Sequence, residues 1–307
     1  MHCRSLVLTA ASDSAPLQAD DIARARALLG DAILQDDELM PGRAWRALFV
    51  AAETAPLGDF RRRVADALAH RPVDVNVVAD DIAYTRKQIL VADMESTIIQ
   101  QEMLDELGEL IGKRAVIEDI TSRAMRGELD FEAALKARVA MLAGLDAQVL
   151  DDVAERMTLM PGARELIATM KANGAYCALV SGGFTVFTQR IARDLGFDEH
   201  QANTLEVAGG KITGRVLEPI LGREAKRHAL ERIARTRGVD MILTLAVGDG
   251  ANDLDMLAAA GLGVAFRAKP KVAAAASDLP NGAVVTHGDL TALLALQNYA
   301  RADIVSD

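Results

Sequence analysis

The clearest chemical signal in the sequence is the motif 93–97 (DMEST), which directly follows the apolar run 88–92 (QILVA). A buried strand holds the residue at its end rigidly, so the Asp93 carboxylate is placed to accept a phosphoryl group. An aspartyl phosphate splits one difficult hydrolysis into two easier steps, and Glu95 can protonate the leaving alcohol and then activate water. The alternative is a solvated strand-end aspartate followed by a helix-capping Ser and Thr. This motif alone does not separate the two.

A second acidic motif, 247–253 (VGDGAND), follows another apolar stretch. Carboxylates beside glycines suit Mg²⁺, a hard cation that takes oxygen ligands. We expect Asp93 and Asp249 to bind the ion from neighbouring strand ends. Asp253 is expected to hold the site in position without binding the ion itself. A turn that uses Asp, Gly and Asn for their backbone tolerance is the alternative. The pairing with the first motif favours the metal site.

Two further segments complete a possible phosphate site. The hydroxyl of Ser181 and the backbone N–H groups of 181–183 (SGG) follow the apolar run 176–180, where they can hold phosphate oxygens at a helix start. Lys226 can neutralise the transferring phosphoryl group and the nucleophile. Each signal is weak alone, because a single lysine is usually solvated. Their value lies in occurring together with both acidic motifs.

Strands that alternate with helices are expected to position these residues. Such alternation predicts an α/β fold with a doubly wound parallel sheet, whose ligands lie at the carboxyl ends of the strands. The three strand-end motifs should therefore converge on one crevice. The segment from about 101 to 159 has apolar residues at helical spacing, which predicts a helical cap inserted over that crevice. The predicted core strands are 88–92, 176–180, 242–247 and 262–266.

The first 84 residues predict a separate small α/β unit, and if 31–35 is a short strand, its order is βαββαβ, a ferredoxin-like arrangement. We therefore divide the chain into an N-terminal domain, 1–84, and a core with its cap, 85–307. The elements predicted for the N-terminal domain are 5–10, 20–29, 31–35, 45–51, 60–69 and 73–78.

Composition narrows the classes of function. A formal net charge of −10 argues against a nucleic-acid-binding surface or a polybasic membrane surface. The two cysteines, Cys3 and Cys177, are far apart, which favours a reducing, cytoplasmic location. No apolar run approaches the roughly 18 residues that span a bilayer. The expected partner is a small molecule; a homodimer is possible, but the sequence does not decide the oligomeric state.

In chain order, the set Asp93-x-Glu95-x-Thr97, Ser181, Lys226 and 248–253 resembles the haloacid dehalogenase (HAD) superfamily. The strings LVADMEST, LVSGGFT, VGDGANDLDML and AFRAKP resemble its phosphoserine phosphatases, from about residue 87 to the C-terminal region. The resemblance implies a HAD-like Rossmannoid core and Mg²⁺-dependent hydrolysis of phosphoserine, the last step of serine biosynthesis. The N-terminal unit resembles the ACT-like, amino-acid-binding domain that precedes some of these enzymes.

Roles for individual residues follow from the same resemblance. It makes Asp93 the nucleophile and assigns Mg²⁺ to the side chains of Asp93 and Asp249 and to the backbone carbonyl of Glu95. Glu102 matches a cap glutamate that holds the substrate ammonium, and Arg138 a cap arginine that pairs with the substrate carboxylate. An amino-acid phosphate does need one anion and one cation in its pocket. Without the resemblance, the alternative is that these two charged residues lie on a solvated face of the cap helices. The remaining matches to substrate-binding residues are Ser181, Gly182, Lys226 and Asn252.

Glu95 departs from the family pattern, in which the acid–base residue is usually an aspartate. The extra methylene moves the carboxylate by roughly one bond length, and small misplacements can lower rates. We expect the chemistry to be retained and the efficiency to be in question. Two other functions stay open: transfer to another alcohol or hydrolysis of another small phosphomonoester, and a non-catalytic amino-acid sensor.

Overall fold

The computed structural model describes residues 2–51, 57–79, 86–125 and 128–305, which form two β-sheets with flanking helices. The strands are β1 (His2–Ala10), β2 (Ile33–Met40), β3 (Ala44–Ala51), β4 (Val73–Ala79), β5 (Ile89–Ala92), β6 (Tyr176–Phe184), β7 (Glu199–Ala208), β8 (Lys211–Leu217), β9 (Thr244–Gly248), β10 (Leu262–Phe266) and β11 (Gly282–Val285). The helices are α1 (Ala19–Leu29), α2 (Leu57–Ala67), α3 (Met103–Leu110), α4 (Arg114–Met125), α5 (Phe131–Ala140), α6 (Gln148–Ala154), α7 (Ala163–Ala172), α8 (Thr185–Leu195), α9 (Glu224–Arg237), α10 (Leu254–Ala259), α11 (Pro270–Ser277) and α12 (Ala292–Ala295).

The larger sheet has seven strands in the order β11-β10-β9-β5-β6-β7-β8, parallel except for the last pair. Every residue of β5, β9 and β10 is buried, as their near-continuous apolar sequences predict. Because parallel strands end at the same edge, β5 and β9 bring the two acidic motifs together. The predicted doubly wound core is confirmed.

The second core strand is longer than predicted. We expected it to end at residue 180 and a helix to begin near Ser181. Instead, β6 continues to Phe184, with an irregularity after Val180, and α8 begins at Thr185. The backbone pairing of Phe184 with Asn203 on β7 holds this segment extended. The 181–183 loop is therefore part of a bulged strand and not the first turn of a helix.

The smaller sheet confirms the ferredoxin-like prediction. Its order, β2-β3-β1-β4, is antiparallel throughout, and the chain order is βαββαβ. Leu6 and Leu8 of β1 face helix residues such as Ala25 and Val64 in one hydrophobic cluster. The boundary that we predicted at residues 84 and 85 lies outside the described residues, so the division into two domains stays a prediction.

The two sheets meet through polar side chains of β4, a contact that the sequence did not reveal. The amide of Asn76 donates to the Val284 carbonyl (2.9 Å) and accepts from the Val284 N–H (2.8 Å). This side chain therefore pairs with Val284 on the outer edge of β11, as the backbone of a neighbouring strand would. The buried carboxylate of Asp74 accepts the N–H groups of 286–288 at 2.7–3.1 Å. Successive backbone N–H groups of this kind form an anion-binding nest.

Helices α3–α6 lie between β5 and β6 in the chain, as predicted for the cap. The cap is also fastened to the β7–β8 hairpin by backbone hydrogen bonds, from Gly144 to Ile212 (2.9 Å) and from Ala147 to Gly210 (2.8 Å). None of the helices in the described ranges has the length and apolar content needed to cross a bilayer.

We expect Asp74→Ala to lower the free energy of unfolding by about 2–4 kcal/mol, because three backbone N–H groups lose their charged acceptor. Urea unfolding followed by circular dichroism measures the change. Asp20→Ala is the matched control, since the Asp20–Arg24 ion pair is exposed and should contribute less than about 1 kcal/mol. Equal losses in the two variants would contradict a stabilising role for the nest.

Candidate active site

Three carboxylates gather at the carboxyl edge of the large sheet. Oxygen atoms of Asp93, Asp249 and Asp253 all lie within 4.8 Å of one another. Asp93 directly follows β5, and its N–H donates to the Val247 carbonyl of the neighbouring strand (3.0 Å). The strand-end convergence predicted for Asp93 and Asp249 is therefore present.

Lys226 joins two of these carboxylates from α9. Its Nζ lies 2.8 Å from Oδ1 of Asp93 and 2.6 Å from Oδ1 of Asp253, and all three side chains are buried. Burial lowers the pKa of Lys226, but the two carboxylates more than offset it, so the pKa is raised and the ammonium stays charged. A buried ion pair of this kind requires both signs of charge to be present.

The loop between β9 and α10 folds around Asp253. Oδ2 of Asp253 accepts the Gly250 N–H (2.9 Å), and a methyl group at Gly248 would lie 2.2 Å from Cγ of Asp253. Gly248 is therefore needed so that the backbone can approach the carboxylate. Asp253 thus orients Lys226 and the loop that carries Asp249.

The carboxylates carry more negative charge than Lys226 neutralises. Burial raises the pKa of Asp93 well above its usual range, against the effect of Lys226, and the Asp253 and Asp249 charges raise it further. Burial, followed by the charges of Asp253 and Glu102, raises the pKa of Asp249 to about 7. Three carboxylates facing one ammonium need further positive charge, and oxygen donors suit a hard divalent cation. The residues present therefore fit a metal.

The predicted phosphate loop, residues 181–183, is held by hydrogen bonds on two sides. Oγ of Ser181 accepts the Gly183 N–H (2.9 Å), which leaves the hydroxyl proton free to donate elsewhere. The Gly182 carbonyl accepts from Nδ2 of Asn203 (2.9 Å), and Oδ1 of Asn203 accepts the Leu221 N–H (2.7 Å). The buried Asn203 therefore ties the loop to the segment that leads into α9 and Lys226.

One small cavity adjoins this loop. Its walls include four residues predicted to bind substrate, and the cap contributes Phe131, whose ring would lie 3.7 Å from a methyl group placed on Gly182. The cavity, of about 10 Å³, has room for about one water molecule. The predicted residues that line the cavity are Ser181, Gly182, Lys226 and Asn252.

The two predicted cap residues, Glu102 and Arg138, lie near the segment that follows Asp93. The carboxylate of Glu102 accepts from Oγ of Ser96 (2.7 Å) at the beginning of α3. Arg138 is half-buried on α5, where Nη1 donates to Oγ1 of Thr121 (2.9 Å). Burial lowers the pKa of Arg138, opposed by the charges of Glu95, Asp105 and Glu102, so these carboxylates lie within its electrostatic range.

Glu95 lies between the phosphate loop and the cap. Its Oε1 accepts the N–H of Met103, the first residue of α3 (2.9 Å). Burial, aided by the charge of Glu102, raises the pKa of Glu95 to about 8, although the Met103 N–H opposes the shift. A raised pKa favours the protonated carboxyl group, the form that a general acid needs.

Four positioning residues were missed in the sequence. Thr121 bonds Arg138, Phe131 lies against Gly182 of the core, and Ser96 bonds Glu102 at the start of the cap; no pattern in the sequence reveals these contacts. Asn203 had a weak signal, because a buried polar residue in a strand needs partners.

A family model described as haloacid dehalogenase-like hydrolase matches residues 90–258, and the chain therefore belongs to this family. It is 48% identical over 229 residues to a phosphoserine phosphatase of Streptomyces coelicolor, a match covering 75% of this chain and 55% of that protein. It is 43% identical over 257 residues to phosphoserine phosphatase SerB2 of Mycobacterium tuberculosis, covering 84% and 62%. The chain thus spans about three fifths of the length of these relatives. The structure is similar to that of a probable phosphoserine phosphatase from Vibrio cholerae, with a TM-score of 0.76 and 35% identity over 97% of this chain and 88% of that one.

Asn203→Asp should lower the free energy of unfolding by about 1–3 kcal/mol, because it removes the donor to the Gly182 carbonyl and leaves an oxygen facing an oxygen. Urea unfolding measures the change, with the exposed Gln189→Ala as the control. A loss in Asn203→Asp no larger than in the control would show that the bridge between Gly182 and Leu221 contributes nothing.

Proposed function

We propose that the protein is a Mg²⁺-dependent phosphoserine phosphatase that hydrolyses O-phospho-L-serine to L-serine and phosphate through a phosphoaspartate on Asp93. The observation that carries the proposal is the buried group of Asp93, Lys226 and Asp253, in which an ammonium lies 2.8 Å from the carboxylate proposed to accept the phosphoryl group. The phosphatase relatives support the choice of substrate. Such a reaction would complete serine biosynthesis.

The residues proposed to hold Mg²⁺ are the side chains of Asp93 and Asp249 and the backbone carbonyl of Glu95, with Asp253 behind them. When bound, the ion would supply positive charge to the phosphoryl oxygens and to the crowded carboxylates. Lys226 supplies the same kind of charge from the protein, and its two carboxylate partners fix where that charge lies.

In the first half of the reaction, an Asp93 carboxylate oxygen forms a bond to phosphorus while the bond from phosphorus to the serine oxygen breaks. The Ser181 hydroxyl and the Gly182 N–H hold phosphoryl oxygens. The proton of Glu95 passes to the departing serine oxygen, which makes serine a neutral leaving group. In the second half, Glu95 takes a proton from water as the water attacks the phosphoaspartate, and phosphate leaves with Asp93 restored.

Selection of an amino-acid phosphate is assigned to the cap. Glu102 would pair with the substrate ammonium and Arg138 with its carboxylate, while Asn252 contacts the substrate from the core. Nη1 of Arg138 donates to the Thr121 hydroxyl and Nε donates to the Ala134 carbonyl (3.1 Å), which orients the guanidinium, and Nη2 is the nitrogen proposed to bind the carboxylate.

The wider proposal keeps the division into an N-terminal domain, 1–84, and a core, 85–307, with the cap at about 101–159. It also places the protein in the cytoplasm. The low number of cysteines, two in the chain, is the feature that supports this location.

Asp93→Asn should abolish phosphate release from phosphoserine, by more than about 1,000-fold in kcat, because the amide cannot accept the phosphoryl group. Removing divalent ions with EDTA should have a comparable effect that Mg²⁺ reverses. Phosphate release is measured colorimetrically, with the exposed Asp119→Asn as the control. Phosphate release by Asp93→Asn at the wild-type rate would contradict the mechanism.

Arg138→Ala should lower kcat/KM for phosphoserine about 10- to 150-fold, the equivalent of the 1.5–3 kcal/mol typical of a charge-assisted hydrogen bond. The same variant should change kcat/KM for O-phosphoethanolamine little, since that substrate lacks the carboxylate. Arg123→Ala, on the exposed side of α4, is the control. Equal losses on both substrates would show that Arg138 does not recognise the carboxylate.

A further inference from the structure

The end of the Glu95 side chain lies against Gly183 of the phosphate loop. A methyl group built at Gly183 would lie 2.8 Å from Oε2 of Glu95 and 3.1 Å from both Cδ and Oε1. Separations below about 3 Å are shorter than carbon and oxygen atoms adopt without displacement. The end of the glutamate therefore occupies the volume that any β-carbon at residue 183 would need.

Both partners are held in place by other contacts. The Gly183 N–H donates to Oγ of Ser181 (2.9 Å), and Phe184 pairs with Asn203 on the neighbouring strand, so the backbone at Gly183 is fixed. On the other side, Oε1 of Glu95 accepts the Met103 N–H (2.9 Å). The carboxyl group is thus confined between the phosphate loop and the first turn of the cap.

We propose that Gly183 is a positioning residue for Glu95: its missing side chain leaves the space in which a glutamate carboxyl group, one methylene longer than that of an aspartate, reaches its working position. The catalytic part of this inference rests on the proposed function. A β-carbon at residue 183 would push the carboxyl group away from both the phosphate loop and Met103. An aspartate at residue 95, which is shorter, would not reach that volume.

The expected effect falls on rate more than on stability. The atoms that a new methyl group would meet belong to the end of a side chain, so the carboxyl group can shift while the backbone of both segments stays in place. A displacement of about 1 Å in a catalytic group can nevertheless lower a rate about 100-fold. A purely structural role for Gly183 would instead lower stability or disturb the phosphate loop whichever residue stands at 95.

The test compares four proteins: wild type, Gly183→Ala, Glu95→Asp and the double variant. We expect Gly183→Ala to lower kcat for phosphoserine about 10- to 100-fold with KM and Tm little changed. Adding Gly183→Ala to Glu95→Asp should change kcat less than about 3-fold, because the shorter side chain leaves the space empty. An equal loss of kcat in both backgrounds would overturn the pairing.

A second measurement does not depend on activity. In protein labelled with ¹⁵N-methionine, the amide resonance of Met103, assigned with Met103→Leu, reports the hydrogen bond to Glu95. Gly183→Ala should move this resonance in the wild-type background and leave it in place in the Glu95→Asp background. An unmoved resonance would overturn the pairing. A resonance that moves in a protein unable to hydrolyse phosphoserine would retain the pairing and reject the proposed function.

Discussion

The candidate site depends on one interaction, the buried ammonium of Lys226 held between Asp93 and Asp253. An unpaired charge at this depth would be strongly destabilising, so each member requires the others. The strands impose this arrangement: β5 ends just before Asp93, β9 ends just before Asp249, and the loop after β9 folds back on Asp253. The Lys226 ammonium reaches them from the first turn of α9, whose buried residues Ala229, Leu230 and Ile233 pack against β5, β6 and β9.

The next layer of contacts fixes groups that carry no charge. Asn203 uses both ends of its amide, so the carbonyl of the phosphate loop and the N–H before α9 share one buried side chain. A shift in either segment would leave a buried polar group without a partner, which costs about 1–3 kcal/mol. The position of Lys226 relative to the phosphate loop is therefore determined by packing and hydrogen bonding as well as by charge.

Much of this could be predicted from local sequence. The run 88–92 is apolar throughout, as a strand covered on both faces must be, and the residues after it were correctly expected to converge with those after β9. The extension of β6 to Phe184 could not be predicted, because it results from pairing with Asn203, about twenty residues later. Phe131 and Thr121 could not be predicted for the same reason: their partners, Gly182 and Arg138, lie farther along the chain, and a helical pattern records only which face is apolar.

The N-terminal sheet shows a related limit. Asp74 and Asn76 alternate with valines in β4, a pattern that is typical of a strand with one face in solvent. In the structure that polar face is instead buried against β11 and the 286–288 nest, while Val7 and Val78 join the main hydrophobic cluster with Leu290 and Leu293. The alternation was correct, but what covers the polar face depends on the second sheet, 200 residues later in the chain.

Because β11 borders β10 and β10 borders β9, the N-terminal sheet is joined to the strand that carries Asp249 through two intervening strands. Asn76 thus pairs with the N–H and C=O groups of Val284 on an edge strand that lies two strands away from β9.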